Sequence, residues 1–240
     1  MAYTTINKST DHFNTKLYTG NGSTNAQTGV GFQPDWVWIK SRSQAVNHYG
    51  FDVVRGATKG LSQNITNAES TRDSTWFNSF DSDGFTIGSE ANINNNSDTY
   101  ASWNWKAGGG QGSSNTDGSI NTTYTSANTT AGFSISSYTG TGSNATVGHG
   151  LGVAPKMVII KSRTGTYDWN IGSDMLGWSN FIVLNANSAQ QTHNLFQNTA
   201  PTSSIFYLSG DAGVNLSGGD YIAYCFAEKT GYSKFGSYTG

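Results

Sequence analysis

Tyr100-Ala101-Ser102-Trp103-Asn104-Trp105 returns 121 positions later as Tyr221-Ile222-Ala223-Tyr224-Cys225-Phe226. Both copies have the two-residue period of a β-strand, whose successive side chains point to opposite faces of a sheet. In the first copy Ala101, Trp103 and Trp105 alternate with Ser102, Asn104 and Lys106. That alternation predicts a strand with its aromatic face in a core and its Ser/Asn face in water. The second copy places Ile222, Tyr224 and Phe226 at the core positions.

Outward from this strand the recurrence continues. Phe13 and Leu17-Tyr18-Thr19-Gly20-Asn21-Gly22-Ser23 match Phe133 and Ser137-Tyr138-Thr139-Gly140-Thr141-Gly142-Ser143 at an offset of 120. After one inserted residue, Gly31, Pro34 and Val37-Trp38-Ile39-Lys40-Ser41-Arg42 match Gly152, Pro155 and Val158-Ile159-Ile160-Lys161-Ser162-Arg163. Phe85-Thr86-Ile87 matches Phe206-Tyr207-Leu208 in the same way. A recurrence of this length is read as an internal duplication. The runs Trp36-Val37-Trp38-Ile39 and Met157-Val158-Ile159-Ile160, each starting shortly after a proline, are apolar at consecutive positions and predict a central strand buried on both faces in each copy. Asp81-Ser82-Asp83-Gly84 and Ser217-Gly218-Gly219-Asp220 supply turn residues between strands, and no segment holds a helical period.

The fold class expected is therefore all-β, as two tandem antiparallel β-sandwich domains, jelly-roll or Ig-like, derived from an internal duplication. The first repeat is placed at 1–107 and the second at 119–240. Between them 108–118, opening Gly108-Gly109-Gly110-Gln111-Gly112-Ser113-Ser114, reads as a flexible Gly/Ser-rich linker. A third Tyr-Thr-Gly at 238–240 either completes the second domain or begins a further copy.

Composition narrows the function. Aromatic residues at 13% supply core material, while charged residues reach only 12% and net charge is −2. Without a basic stripe to neutralise phosphates, nucleic acid is not an expected partner. No apolar run is long enough to cross a bilayer, so no membrane insertion is expected, and the chain reads as soluble and unprocessed. Cys225 is the single cysteine and is read as a small packed residue. His12, His48, His149 and His193 lack metal-type spacing, and Asp81-Ser82-Asp83-Gly84 lacks the further carboxylates of a calcium loop. No metal, cofactor or catalytic residue is assigned, and the chain is expected not to be an enzyme. The repeated Lys-Ser-Arg, at 40–42 and 161–163, is read as a strand emerging into solvent. The loop aromatics Tyr49, Tyr167, Trp169 and Trp178 remain as candidate ligand-binding residues, because aromatic faces stack on sugar rings.

Several phrases go further. Tyr18-Thr19-Gly20-Asn21-Gly22, Gln33-Pro34-Asp35-Trp36-Val37-Trp38-Ile39-Lys40, Phe80-Asp81-Ser82-Asp83-Gly84-Phe85-Thr86 and Trp103-Asn104-Trp105-Lys106-Ala107-Gly108-Gly109 resemble a repeat domain of virion structural proteins of marine tailed bacteriophages, especially those infecting cyanobacteria. The second copy is similar through Ser126–Phe133 and Val147–Gly152. The resemblance covers essentially the whole chain and carries no catalytic motif. It implies a location on the virion surface, as a tail fibre or tail-attached appendage in particle attachment and host recognition. A capsid decoration protein and a carbohydrate-binding, lectin-like module are the alternatives. Implied partners are other virion proteins, further copies of the chain (a trimer for a fibre) and a host surface polysaccharide.

Overall fold

A computed structural model describes residues 4–238. The first half contains β1 (Phe13–Thr19), β2 (Asn25–Thr28), β3 (Trp36–Ser41), β4 (Tyr49–Asp52), β5 (Lys59–Ser62), β6 (Ser70–Thr71), β7 (Phe77–Asp81), β8 (Gly84–Ile87), the helical turn α1 (Ala91–Asn94) and β9 (Thr99–Trp105). The second contains β10 (Tyr124–Asn128), β11 (Phe133–Thr139), β12 (Ala145–Gly148), β13 (Met157–Ser162), β14 (Asn170–Ser173), β15 (Asn180–Val183), β16 (Gln191–Thr192), β17 (Ile205–Leu208), α2 (Ala212–Asn215) and β18 (Asp220–Phe226). The chain is all-β, with several antiparallel sheets and none closed.

One large sheet runs β1-β9-β3-β4-β5-β6, the other β10-β11-β18-β13-β14-β15-β16. With β10 set aside, the second order follows the first strand for strand. Registers agree as well: Ile39 faces Tyr49 as Ile160 faces Asn170. Smaller sheets, β2-β8-β7 and β12-β17, lie over one face of each large sheet.

Three apolar cores fill the spaces between four layers. Val37, Ile39, Phe51 and Tyr100 pack with Phe77, Phe85 and Ile87 of the first small sheet. Val158, Ile160, Tyr221 and Ala223 pack with Val147, Phe206 and Leu208 of the second. The third core lies between the two large sheets and joins Trp36, Val54 and Leu61 to Phe133, Ile159, Trp169 and Tyr224. β3 and β13 are apolar at consecutive positions because both faces are covered, the odd and even side chains entering different cores.

β9 departs from the expectation that its Ser/Asn face meets water. Ser102 and Asn104 are fully buried on the face shared with Tyr100, whereas Trp103 and Trp105 on the opposite face are partly exposed. Asn104 Nδ2 donates to the carbonyl of Asn14 at 3.0 Å and to Ser102 Oγ at 3.0 Å, which offsets the burial of its NH2 group, while its Oδ1 has no hydrogen-bond partner among the described residues. The aromatic face instead packs toward the other large sheet. Trp36 stacks between Trp105 at 4.4 Å and Tyr224 at 4.2 Å, measured between ring centroids.

The glycine-rich segment after β9 is likewise not a free linker. Gly109 N–H donates to Asp35 Oδ2 at 2.8 Å, Gly108 N–H to Ser126 Oγ at 3.0 Å, and Gln111 Nε2 to the carbonyl of Val54 at 3.0 Å. Ser113 adds a β-bridge to Thr125. At the other end of the chain, Tyr238 is exposed and outside any strand, while Thr239 and Gly240 lie outside the described residues.

Asp81-Ser82-Asp83-Gly84 forms the β7–β8 hairpin turn. The Asp83 carboxylate accepts from Gly29 N–H at 2.9 Å and Gly31 N–H at 2.7 Å, and these hydrogen bonds hold its pKa below the ordinary aspartate value. Gly84 has φ +147°, and a Cβ there would stand 1.8 Å from the β2 carbonyl of Gln27. Gly84→Ala is expected to destabilise the protein by about 1–3 kcal/mol, through strain and loss of β2–β8 pairing, as read from the denaturant midpoint.

Candidate functional site

The four loop aromatics have different fates. Tyr49 is buried against Trp76, with ring centroids 4.8 Å apart, and the Arg72 guanidinium lies 3.9 Å from the Trp76 centroid. Trp169 is fully buried, and its Nε1–H donates to the carbonyl of Ser62 in the first half at 2.9 Å. Trp178 is buried against Phe196. None of these three offers a free ring face for a sugar. Tyr167, half-buried, is the exception, and it lines an open cavity of about 300 Å³.

That cavity lies beside β14, β15, β16 and α2. Its polar wall comprises Asp168, Asn170, Gln191, His193 and Asp211, and its apolar floor includes Phe181 and Leu195. Asn170 is 5% exposed; its Nδ2 donates to the carbonyls of Asp168 and Gly213, while its Oδ1 has no hydrogen-bond partner among the described residues. Asp168 accepts from Asn185 Nδ2 through Oδ1, and Asp211 caps α2 by accepting from Gly213 N–H at 2.7 Å. His193 Nε2 stands 4.0 Å from Asp211 Oδ2, beyond hydrogen-bond reach. Carboxylate and amide groups around one aromatic wall suit a hydroxyl-rich ligand. Among the described residues, no group of three His, Cys, Asp or Glu side chains is placed to hold a metal ion.

A second cavity, of about 520 Å³, is lined by residues of both large sheets. Phe13, Trp38 and Trp105 of one sheet face Met157 and Phe226 of the other, and Tyr232 closes part of the mouth. Sequence reasoning missed this cleft because period-two alternation cannot tell an aromatic facing its own small sheet from one facing another half of the chain.

The Lys-Ser-Arg of the second half is a clasp between the halves. Lys161 is fully buried, and its ammonium donates to the carbonyls of Thr66, Ser162 and Gly165 at 3.1, 2.9 and 3.3 Å. Arg163 grips Glu69 with two hydrogen bonds, at 2.9 and 3.0 Å. In the first half Lys40 makes only the local version, to the carbonyls of Ser41 and Gln44. The expected emergence into solvent fails for Lys161 because a loop of the first half covers it.

Burial pushes the Lys161 ammonium down to about 8, from 10.5. The unfolded chain therefore binds more protons between those two values, so this group makes stability rise with pH across that window and has no effect on its pH dependence well below about 8. Urea unfolding of the wild type and Lys161→Met at pH 8 and pH 10.5 checks this: the stability difference is expected to shift in favour of the wild type at the higher pH, a comparison that cancels the opposing effect of the buried Tyr18, Tyr138 and Tyr224, whose pKa values burial raises. Cys225, read from the sequence as a small packed residue, is buried in the core between the second large sheet and its small sheet, and burial raises its thiol above the usual range.

Residues 8–240 match the model of a family described as a domain of unknown function (DUF7483), and the chain belongs to that family. No curated protein and no solved structure matches it.

Proposed function

We propose that this chain is a non-catalytic structural component of a tailed-phage virion, a tail fibre or tail-attached appendage that serves attachment and host recognition. Its two halves arose by duplication. The recurrence at an offset of 120, and of 121 after one inserted residue, supports that origin, as do the matching strand orders and registers of the two large sheets. The resemblance of its phrases to virion repeat domains supports the location.

The observation that carries the reading is the union of the halves into one four-layer body with unlike edges. At one edge β10 covers β11. The equivalent strand of the first half, β1, pairs only with β9 among the described residues and leaves Leu17 58% exposed. Edge strands present unpaired backbone groups and are normally covered or blunted. The two large sheets thus end on this side in unlike edge strands, β1 and the additional β10, and such edges are suited to docking on a further copy or on a neighbouring virion protein.

Labelling the protein on purified particles and imaging them tests this. Density along the tail or at its base supports the appendage; a lattice over the head makes it a capsid decoration protein instead. Particles that carry no label refute both.

A further inference from the structure

The two halves differ where the Tyr167 cavity opens, and the difference there is a set of substitutions at equivalent positions. Asn170 occupies the register place of Tyr49, each facing the isoleucine of its central strand. His193 occupies the place of Arg72: its N–H donates to the carbonyl of Ser179 at 3.2 Å, as Arg72 N–H does to that of Thr58 at 2.7 Å. Leu195 occupies the place of Trp76: its carbonyl accepts from Ser209 N–H at 2.9 Å, as that of Trp76 does from Gly88 N–H at 2.6 Å.

In the first half, Tyr49 meets Trp76 edge-on, Arg72 lies over the Trp76 ring, and together they fill this place. In the second, all three are replaced by smaller side chains. Larger residues enter beside them, Phe181 for Gly60, Val183 for Ser62 and Gln191 for Ser70, and the Phe181 ring meets His193 edge-on at 6.5 Å, yet the place of Tyr49 and Trp76 is left open. The result is the cavity of about 300 Å³. A packing defect would be lined by apolar groups and would stay dry. This one has Asn170 at its wall with an unpartnered carbonyl oxygen, the Asp168 and Asp211 carboxylates, Gln191 and the partly exposed ring of Tyr167.

We propose that this cavity is a binding site for one neutral sugar residue of a polysaccharide. Size, polarity and charge each narrow the ligand. A single pyranose ring fits the volume, and its apolar face packs on Tyr167 while its hydroxyls donate to Asn170 Oδ1 and to the carboxylates. Two carboxylates with no Lys or Arg in the lining disfavour uronic acids and sulfated sugars by like-charge repulsion. The first half has no such site, because Tyr49 and Trp76 occupy it. The chain therefore binds one sugar residue, and useful affinity comes from several copies on one particle. The site is independent of where the protein sits on a virion, so failure of sugar binding and failure of the virion location are separate outcomes.

The test uses the full chain and a panel of glucose, galactose, mannose, N-acetylglucosamine and glucuronic acid at millimolar concentration, read by saturation-transfer NMR. At least one neutral sugar is expected to give a signal and glucuronic acid none. Asn170→Tyr, which restores the first half's plug, and Tyr167→Ala, which removes a half-exposed ring, are each expected to weaken binding at least tenfold. Circular dichroism checks that each variant is folded, and if Asn170→Tyr is not, Tyr167→Ala decides. Silence of every neutral sugar with the wild-type protein overturns the proposal, as does undiminished binding by folded Tyr167→Ala.

Discussion

Arg55→Met is expected to cost about 3–5 kcal/mol of folding stability, because it strips the cation from a buried carboxylate without removing the carboxylate. Asp52 is fully buried, and its Oδ2 accepts both Arg55 Nε–H at 2.5 Å and the Tyr224 hydroxyl of the second half at 2.7 Å. The same guanidinium donates to the carbonyls of Gly50 and Lys59 and to Glu69 at 3.3 Å, and Glu69 is held in turn by Arg163. One side chain thus ties β4 to the loops of its own half and, through Tyr224 and Arg163, to the other half. Methionine fills the volume but leaves Asp52 with only a backbone N–H and a phenol as donors.

Denaturant unfolding checks this, and adding Asp52→Asn to Arg55→Met is expected to recover part of the loss, since the uncompensated charge is then gone. Tyr224→Phe removes a hydrogen bond to a buried carboxylate and is expected to cost about 1–3 kcal/mol. The pH dependence follows the same network. Burial alone would raise the Glu69 pKa, but the Arg163 hydrogen bonds and the Arg55 charge outweigh it and hold the carboxyl below its ordinary value of 4.5. A depressed folded pKa means that the stabilisation is complete above 4.5 and is lost as pH falls through the lower folded value. Acid should therefore loosen the contact between the large sheets, and Glu69→Gln should remove that part of the acid sensitivity.

The strands were legible in the sequence because alternation and prolines report local geometry. Tyr100–Trp105 and Tyr221–Phe226 both form the predicted strands, β9 and β18, and Trp36–Ile39 and Met157–Ile160 lie within the doubly buried β3 and β13. The sidedness of β9 was not legible. Ser102 and Asn104 are polar by type, yet the Asn14 carbonyl one strand away accepts from the Asn104 NH2 group and lowers the cost of burying it. Trp169 and Tyr167 show the same limit two residues apart. Both read as loop aromatics, but the indole N–H finds Ser62 in the other half while the phenol ring stays at a cavity rim. Contacts of that sequence separation leave no periodic trace. The open cavity was legible only as a difference between copies, and only once registers showed that Asn170, His193 and Leu195 stand where Tyr49, Arg72 and Trp76 stand.

Trp36→Ala tests whether the shared core makes the protein fold as one unit. Trp36 is 1% exposed and is stacked between Trp105 of its own sheet and Tyr224 of the other. Removing so large a buried ring is expected to cost about 3–5 kcal/mol. Because the ring also lines the cleft of about 520 Å³, the space it leaves joins that cleft and admits water onto Tyr224 and Phe133. For a cooperative unit of this length the loss corresponds to a fall of roughly 10 °C in a single melting transition. Were the halves independent sandwiches, two transitions would appear and Trp36→Ala would move one of them. The four-layer body instead requires one transition, and calorimetry should find it displaced alike by Trp36→Ala in the first half and Trp169→Ala in the second, since both rings belong to the core between the large sheets. A second transition left in place by either variant would mean that this interface does not couple the halves, and that the clasp at Lys161 and Arg163 contributes little to holding them together.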